Sequence, residues 1–163
     1  MSIIDKNLVL VASAIVFKEV KDTDLWFVIK SSEIDEWQFP KTVMRKGESS
    51  VRGCIRMMGE QGAMTLLLLE EAGRAGGVTT INDKTLPQRH IYYVAKMLSE
   101  SGEAIGFDET EWLEYAKALR RLTSKREKAM LKQAKVELTK WRKKQAEKKS
   151  KLEPEEPEVE VEL

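Results

Sequence analysis

Residues 46 to 73, KGESSVRGCIRMMGEQGAMTLLLLEEAG, gather the side chains of this chain best suited to chemistry: Glu48, Arg56, Glu60, Glu70 and Glu71. Carboxylates are the oxygen donors that hard divalent cations take. The adjacent acids Glu70 and Glu71 follow an apolar run and precede Gly73. At the end of a helix they would oppose the helix dipole, so stability alone does not select them there.

The elements that must position these groups follow from periodicity and punctuation. Residues 8 to 18 and 24 to 31 are apolar and rich in β-branched types, with the polar EVKDTD between them, which predicts a β-hairpin. EWQFPK then brings a proline that does not suit a central strand, and a short TVMR strand follows. From Ser49 the spacing reads as helical, and the glycines of GRAGG after Gly73 are expected to end that helix. LLLL at 66 to 69 is apolar on all sides and implies an enclosed helix. VTTIND and RHIYYVAKML have strand composition, DETEWLEYAKALRRL is expected to be a helix, and a long charged helix runs to about residue 149. The expected order is β-β-β-α-β-β-α-α, an α+β domain with a helical extension.

From WQFPK through GES to LEEAG, then a strand pair and EWLEYAKAL, the sequence resembles the Nudix hydrolase family over roughly residues 7 to 135. That family's box is G-x5-E-x7-R-E-U-x-E-E-x-G-U, with U aliphatic. Trp37, Phe39, Pro40, Lys41, Trp112 and Leu113 occupy its flanking positions. The resemblance implies an α/β/α sandwich with a mixed sheet, and carboxylates on one helix face that bind Mg²⁺ or Mn²⁺. The metal would polarise a phosphoryl oxygen and activate water against a diphosphate linkage. It also implies a nucleotide-type substrate, in particular a nucleoside diphosphate linked to another moiety. The alternative is a Nudix-fold binding module for nucleotide or RNA that has lost turnover.

The box fits in two registers. Anchored at its start, Glu48 and Arg56 are correctly spaced, which puts Met57 where the first helix Glu belongs and Gln61 at the last. Anchored at its end, Glu70, Glu71 and Gly73 fit, with Leu66 and Leu67 on the Arg-Glu pair. Both anchors hold only with ten residues inserted, and Gly59 and Gly62 mark the expected break. The resemblance then implies Glu48, Glu70 and Glu71 as metal ligands, and Glu70, Glu71 and Arg56 as catalytic, Arg56 by orienting a carboxylate. Glu60, the only acid in the inserted piece, either swings into the vacant ligand place or is a solvated side chain. Thr42 replaces the opening glycine.

The rest of the chain bears on partners. His90, the only histidine, is expected on a polar strand face with Tyr92; Arg89 and Tyr93 share the other face. The lone Cys54 excludes an internal disulfide, and with no basic leader before an apolar run a cytoplasmic location is expected. No segment has the roughly 20 apolar residues a membrane-crossing helix needs. Charge divides the chain into an almost neutral Nudix-like domain at 1–123, a basic helix at 124–151 and an acidic tail at 152–163. The helix holds twelve Lys or Arg against three Glu, and the tail six Glu with no base. Leu131, Ala134, Leu138 and Trp141 form a narrow apolar stripe on the basic helix. Such a helix packs on the domain, or attracts RNA, the ribosome or another anionic surface in a salt-sensitive way. The Glu- and Pro-rich tail is expected to be disordered.

Overall fold

A computed structural model describes residues 8–152 of the 163; the expectation for the acidic tail lies outside them. Strand β1 (Val9–Val20) and strand β2 (Thr23–Ser31) form the expected hairpin, closed by Lys21 and Asp22 at φ 50° and 64°. Two left-handed residues make the turn whose twist matches that of paired strands. The short strands β3 (Glu36–Gln38) and β4 (Lys41–Val43) follow, then helix α1 (Ser50–Glu60). Ser49 caps this helix, its hydroxyl accepting from the amide of Arg52 at 3.2 Å.

Here the structure corrects the expected course of the chain. The helix does not run to Gly73. It stops at Glu60, and strand β5 (Met64–Ile81) carries LLLLEEAG as extended chain. The stop lies at Ala63, whose φ of 51° takes the chain off the helical path, while Gly62 before it lies so close to Met58 that a side chain there would meet the Met58 carbonyl at 2.9 Å. Leu66 is buried and Leu67 exposed, the alternation of a strand rather than an enclosed helix. Strand β6 (Lys84–Glu100) returns antiparallel through Asn82 and Asp83 at φ 49° and 63°, so VTTIND ends one arm of a single long hairpin. DETEWLE is likewise not helical. It forms strand β7 (Glu109–Glu114) on β2, and helix α2 (Tyr115–Arg121) starts only afterwards. Helix α3 (Lys125–Leu152) completes the chain.

The seven strands form one mixed sheet in the order β3-β2-β1-β6-β5, with β4 on β1 and β7 on β2; β1 and β6 are parallel. Strand β1 is covered on both faces, which explains its continuous apolar run. Ala12, Ala14 and Val16 face α1, packing with Phe27, Cys54, Met57 and Met58. Ile15 and Phe17 face the other way, into a core with Trp26, Tyr92, Leu131, Ala134 and Leu138. The result is an α/β/α sandwich. The stripe of α3 is therefore core, with Trp141 packed against its margin. Burial of each leucine contributes about 1.5–3 kcal/mol.

Candidate functional site

The turn before α1 holds the first group. Gly47, at φ 75°, lets the chain turn so that Glu48 faces the helix. Arg56 grips its carboxylate with two hydrogen bonds, Nε to Oε2 at 2.7 Å and Nη2 to Oε1 at 2.9 Å. The amide of Arg45 donates to Oε1 at 3.1 Å. The Arg56 guanidinium first, and then that amide, hold the Glu48 carboxyl down at about 2. Gly53 lets the turn lie against α1, since a side chain there would collide with Met44 at 2.4 Å. Glu60, at the helix end, lies 3.6 Å from both Arg45 and Arg56 and is half exposed.

These positions decide between the two registers. One helix carries Arg56, Met57, Glu60 and Gln61's cap, without an insertion, so the start-anchored register describes the fold. In it Met57 takes the place of the first box acid, Glu60 keeps the next, Gln61 replaces the last, and Ala63 at φ 51° stands for the box glycine. Met57 is fully buried in the core. Glu70 and Glu71 are not on this helix. They lie in β5, opposite Val94 and Tyr93, and Glu71 accepts from Arg74 at 2.9 Å. The expected ligand set of Glu48, Glu70 and Glu71 thus loses its premise, a shared helix. Among the described residues no three His, Cys, Asp or Glu side chains are grouped so as to hold a metal ion. Of the three helix acids only Glu60 remains, half exposed and 3.6 Å from both Arg45 and Arg56, so the implied Mg²⁺ or Mn²⁺ would find one helix carboxylate where the box supplies three.

A cleft opens beside the end of α1. One part, a cavity of about 480 Å³, is walled by Phe27, Phe107 and Trp112, with Glu100, Glu103 and Asp108 on its polar side. Phe27 packs against Trp112 at 4.9 Å between ring centroids and edge-on to Phe107 at 5.9 Å. A second part of about 180 Å³ is lined by Lys30, Gln38, Lys41 and Gln61, and shares Phe107 and Asp108 with the first. The 101–108 loop, which lines both, is bound to α1: the Gly106 amide donates to the Gln61 carbonyl at 3.0 Å. A side chain at Gly106 would meet Gln61 backbone at 2.6 Å. Asp108 caps the other side by accepting from the Ser32 amide at 2.7 Å, and that bond holds its carboxyl below its usual range.

WQFPK is tied to the helical layer rather than exposed as a free loop. The Trp37 amide donates to the Thr123 hydroxyl at 2.9 Å and its carbonyl accepts from the Thr123 amide at 3.1 Å, and the buried Glu127 accepts from the Phe39 amide at 3.2 Å and pairs with Lys41 at 3.5 Å. Lys41, which reaches the cleft, is thereby positioned by α3. His90 departs from its expected polar face. It is buried, stacked on Tyr92 with centroids 4.2 Å apart, and bonded to the Ser13 hydroxyl at 2.6 Å. Arg126 donates to its Nδ1 at 3.3 Å, so Nε2 carries the proton and donates to Ser13. Burial above all, then the charges of Lys41 and Arg126, lower its pKa to about 3, which keeps the ring neutral. Sequence reasoning missed the cleft loop and Glu127. The paired glycines of SGEAIGFD and a lone acid at the start of a basic helix were the available signals.

No protein-family model matches the sequence, and no curated protein matches it. Solved structures do. A Caenorhabditis elegans Ap4A hydrolase superposes with a TM-score of 0.64 at 16% identity, over 80% of this chain and 98% of that one. The Nudix domain of Shewanella oneidensis NrtR, complexed with ADP ribose, gives 0.62 at 16% identity over 82% and 90%. The Escherichia coli dihydroneopterin triphosphate pyrophosphohydrolase gives 0.61 at 10% identity over 76% and 92%. With these likenesses, the order of the sheet and the helices on its two faces, the chain has the Nudix fold.

Proposed function

We propose that this chain is a Nudix-fold module that binds a nucleotide-type phosphate ester and has lost hydrolysis. The observation that carries this reading is Met57, fully buried where the box needs an acid. A thioether in the core neither holds Mg²⁺ nor activates water. The cleft still offers a place for a ligand. Its aromatic end suits a base, with Glu100, Glu103 and Asp108 as acceptors for amino or hydroxyl groups, and Lys30 and Lys41 stand at the end suited to phosphate. The NrtR Nudix domain, of the same fold, is complexed with ADP ribose. Weak metal-dependent hydrolysis of a nucleoside diphosphate derivative is the second reading, and the intact Glu48–Arg56 pair beside Glu60 favours it. Contact with RNA or the ribosome through the exposed lysines beyond Arg142 is an additional proposal, carried by charge alone.

The deciding experiment titrates the protein with ADP ribose and diadenosine tetraphosphate, with and without Mg²⁺ or Mn²⁺, and follows product release in the same samples. Binding that is independent of metal, weakened by Lys41→Ala and unaccompanied by product supports the module. Metal-dependent product that disappears in Glu60→Gln establishes the hydrolase instead.

A further inference from the structure

The aromatic end of the cleft is polar in one sense. Besides its rings, the cavity of about 480 Å³ is lined by the carboxylates of Glu100, Glu103 and Asp108 and the Thr110 hydroxyl, and among the described residues by no Lys, Arg, Asn or Gln. Ionised carboxylates accept hydrogen bonds and donate none. Two of the three are already engaged, Glu100 by the Lys18 ammonium at 3.9 Å and Asp108 by the Ser32 amide at 2.7 Å. Glu103 is exposed and in no ion pair among the described residues. Its two oxygens are open to a ligand.

The loop that carries Glu103 is tied down on both sides of it. Ser101 binds the Ala63 carbonyl through its amide at 2.8 Å and its hydroxyl at 3.1 Å, and the Gly106 amide binds the Gln61 carbonyl at 3.0 Å. Between these anchors the Glu103 carbonyl accepts from the Ile105 amide at 2.9 Å, which closes a tight turn. The Glu103 backbone is thus held against the end of α1 beside the aromatic wall, and less of its freedom is left for a ligand to remove. Charge sets the direction of entry. The carboxylates repel phosphate, so a nucleotide lies with its base at this end and its phosphates toward Lys30 and Lys41.

Resting on the reading of this cleft as a nucleotide site, we propose that its aromatic end selects guanine, the Glu103 carboxylate accepting from N1–H and the N2 amino group together. A carboxylate presents two acceptors side by side, and guanine is the common base whose edge presents two donors side by side. The other bases mismatch. Adenine and cytosine set a ring-nitrogen acceptor beside the amino group, where it would face a carboxylate oxygen, and uracil flanks its single N–H with two carbonyls. Guanine O6 needs a donor, and the Thr110 hydroxyl and the Trp112 indole N–H are the side-chain donors on the lining.

The test is calorimetric titration of the full chain with guanosine, inosine and adenosine diphosphates, which differ in the base alone, and with ADP ribose. Guanosine diphosphate should bind about tenfold tighter than adenosine diphosphate, and than inosine diphosphate, which lacks the N2 amino group. Glu103→Gln turns one acceptor into a donor, the pattern that matches adenine. It should weaken guanosine diphosphate about tenfold and strengthen adenosine diphosphate, a reversal that damage to the fold would not produce. Equal binding of the three diphosphates, or a guanine preference that Glu103→Gln leaves unchanged, would overturn the proposal while the nucleotide-binding reading stands. ADP ribose bound with none of the diphosphates would do the same. No binding of any of the four would remove both.

Discussion

Replacing Met57 by Glu tests the register and the vacant ligand place together. Met57 is fully buried among Cys54, Met58 and the alanines of β1. A carboxylate introduced there without a cation is desolvated, which raises its pKa above the unfolded value of about 4.3. The nearby Arg56 guanidinium is already committed to Glu48, so it offsets little of this. An elevation of about 2 units would cost about 2.7 kcal/mol at pH 7. The sign is fixed by linkage: the unfolded chain ionises first, so stability of the variant falls as pH rises from about 4.3 through the raised folded pKa. Below that window the penalty fades. The assay is thermal unfolding of Met57→Glu and of the wild type at pH 4 and pH 7, with and without Mg²⁺. If the place is the vacant ligand position, 10 mM Mg²⁺ binding with a Kd near 1 mM restores about 1.4 kcal/mol at pH 7. Restoration should be larger with Gln61→Glu added, and Leu67→Glu, on exposed β5, should show none. A variant as stable as the wild type at both pH values, or one indifferent to Mg²⁺ even with Gln61→Glu, would refute the placement of the box on α1.

Four further outcomes are expected. Leu131→Ala should cost about 2–5 kcal/mol in chemical denaturation because it empties a fully buried place in the core, and a chain ending at residue 123 should not fold. Glu48→Gln should flatten the acid limb of the stability profile: the Glu48 carboxyl is lowered to about 2, so its contribution is complete above the unfolded pKa near 4.5 and is lost as pH falls toward 2. Gly106→Ala should weaken nucleotide binding by about tenfold or more while shifting the unfolding midpoint little, since it pushes an exposed loop off Gln61 and leaves the core untouched.

What the sequence revealed depended on whether one period dominated. The β1–β2 hairpin was legible because two β-branched runs flank a polar turn, and the stripe of α3 because its three- and four-residue spacing survives among lysines. The resemblance to the box picked out Glu48 and Arg56 and implied that Arg56 orients a carboxylate; the carboxylate it holds is that of Glu48, which the resemblance had implied as a metal ligand. LLLLEEAG was not legible. Four leucines satisfy a helix and a strand equally, and the chance match of EEAG to the end of the box tipped the reading toward helix. What decides it is the left-handed turn at Ala63 and the pairing of the run with β6, neither of which composition displays. EWLE misled in the same way: its acids and aromatics fit a helix start, but pairing with Phe27 and Val28 of β2 makes it a strand.

Strand β5 ends the sheet. Among the described residues it pairs with β6 alone, so along its other margin the backbone amides and carbonyls of an 18-residue strand are left for a stranger to use. Such a border invites a neighbouring molecule to add itself as the next strand, and apolar LLLL makes the invitation stronger. The strand is spoiled for that purpose three times, by shifts of register between Thr65 and Leu66, Leu68 and Glu70, and Glu71 and Gly73. Two of the three bracket Glu70 and Glu71, which bring like charge to any copy stacking in register. The acids that resembled metal ligands thus stand on a border: Glu70→Gln with Glu71→Gln is expected to leave the core intact and to raise the concentration-dependent mass of the protein in light scattering.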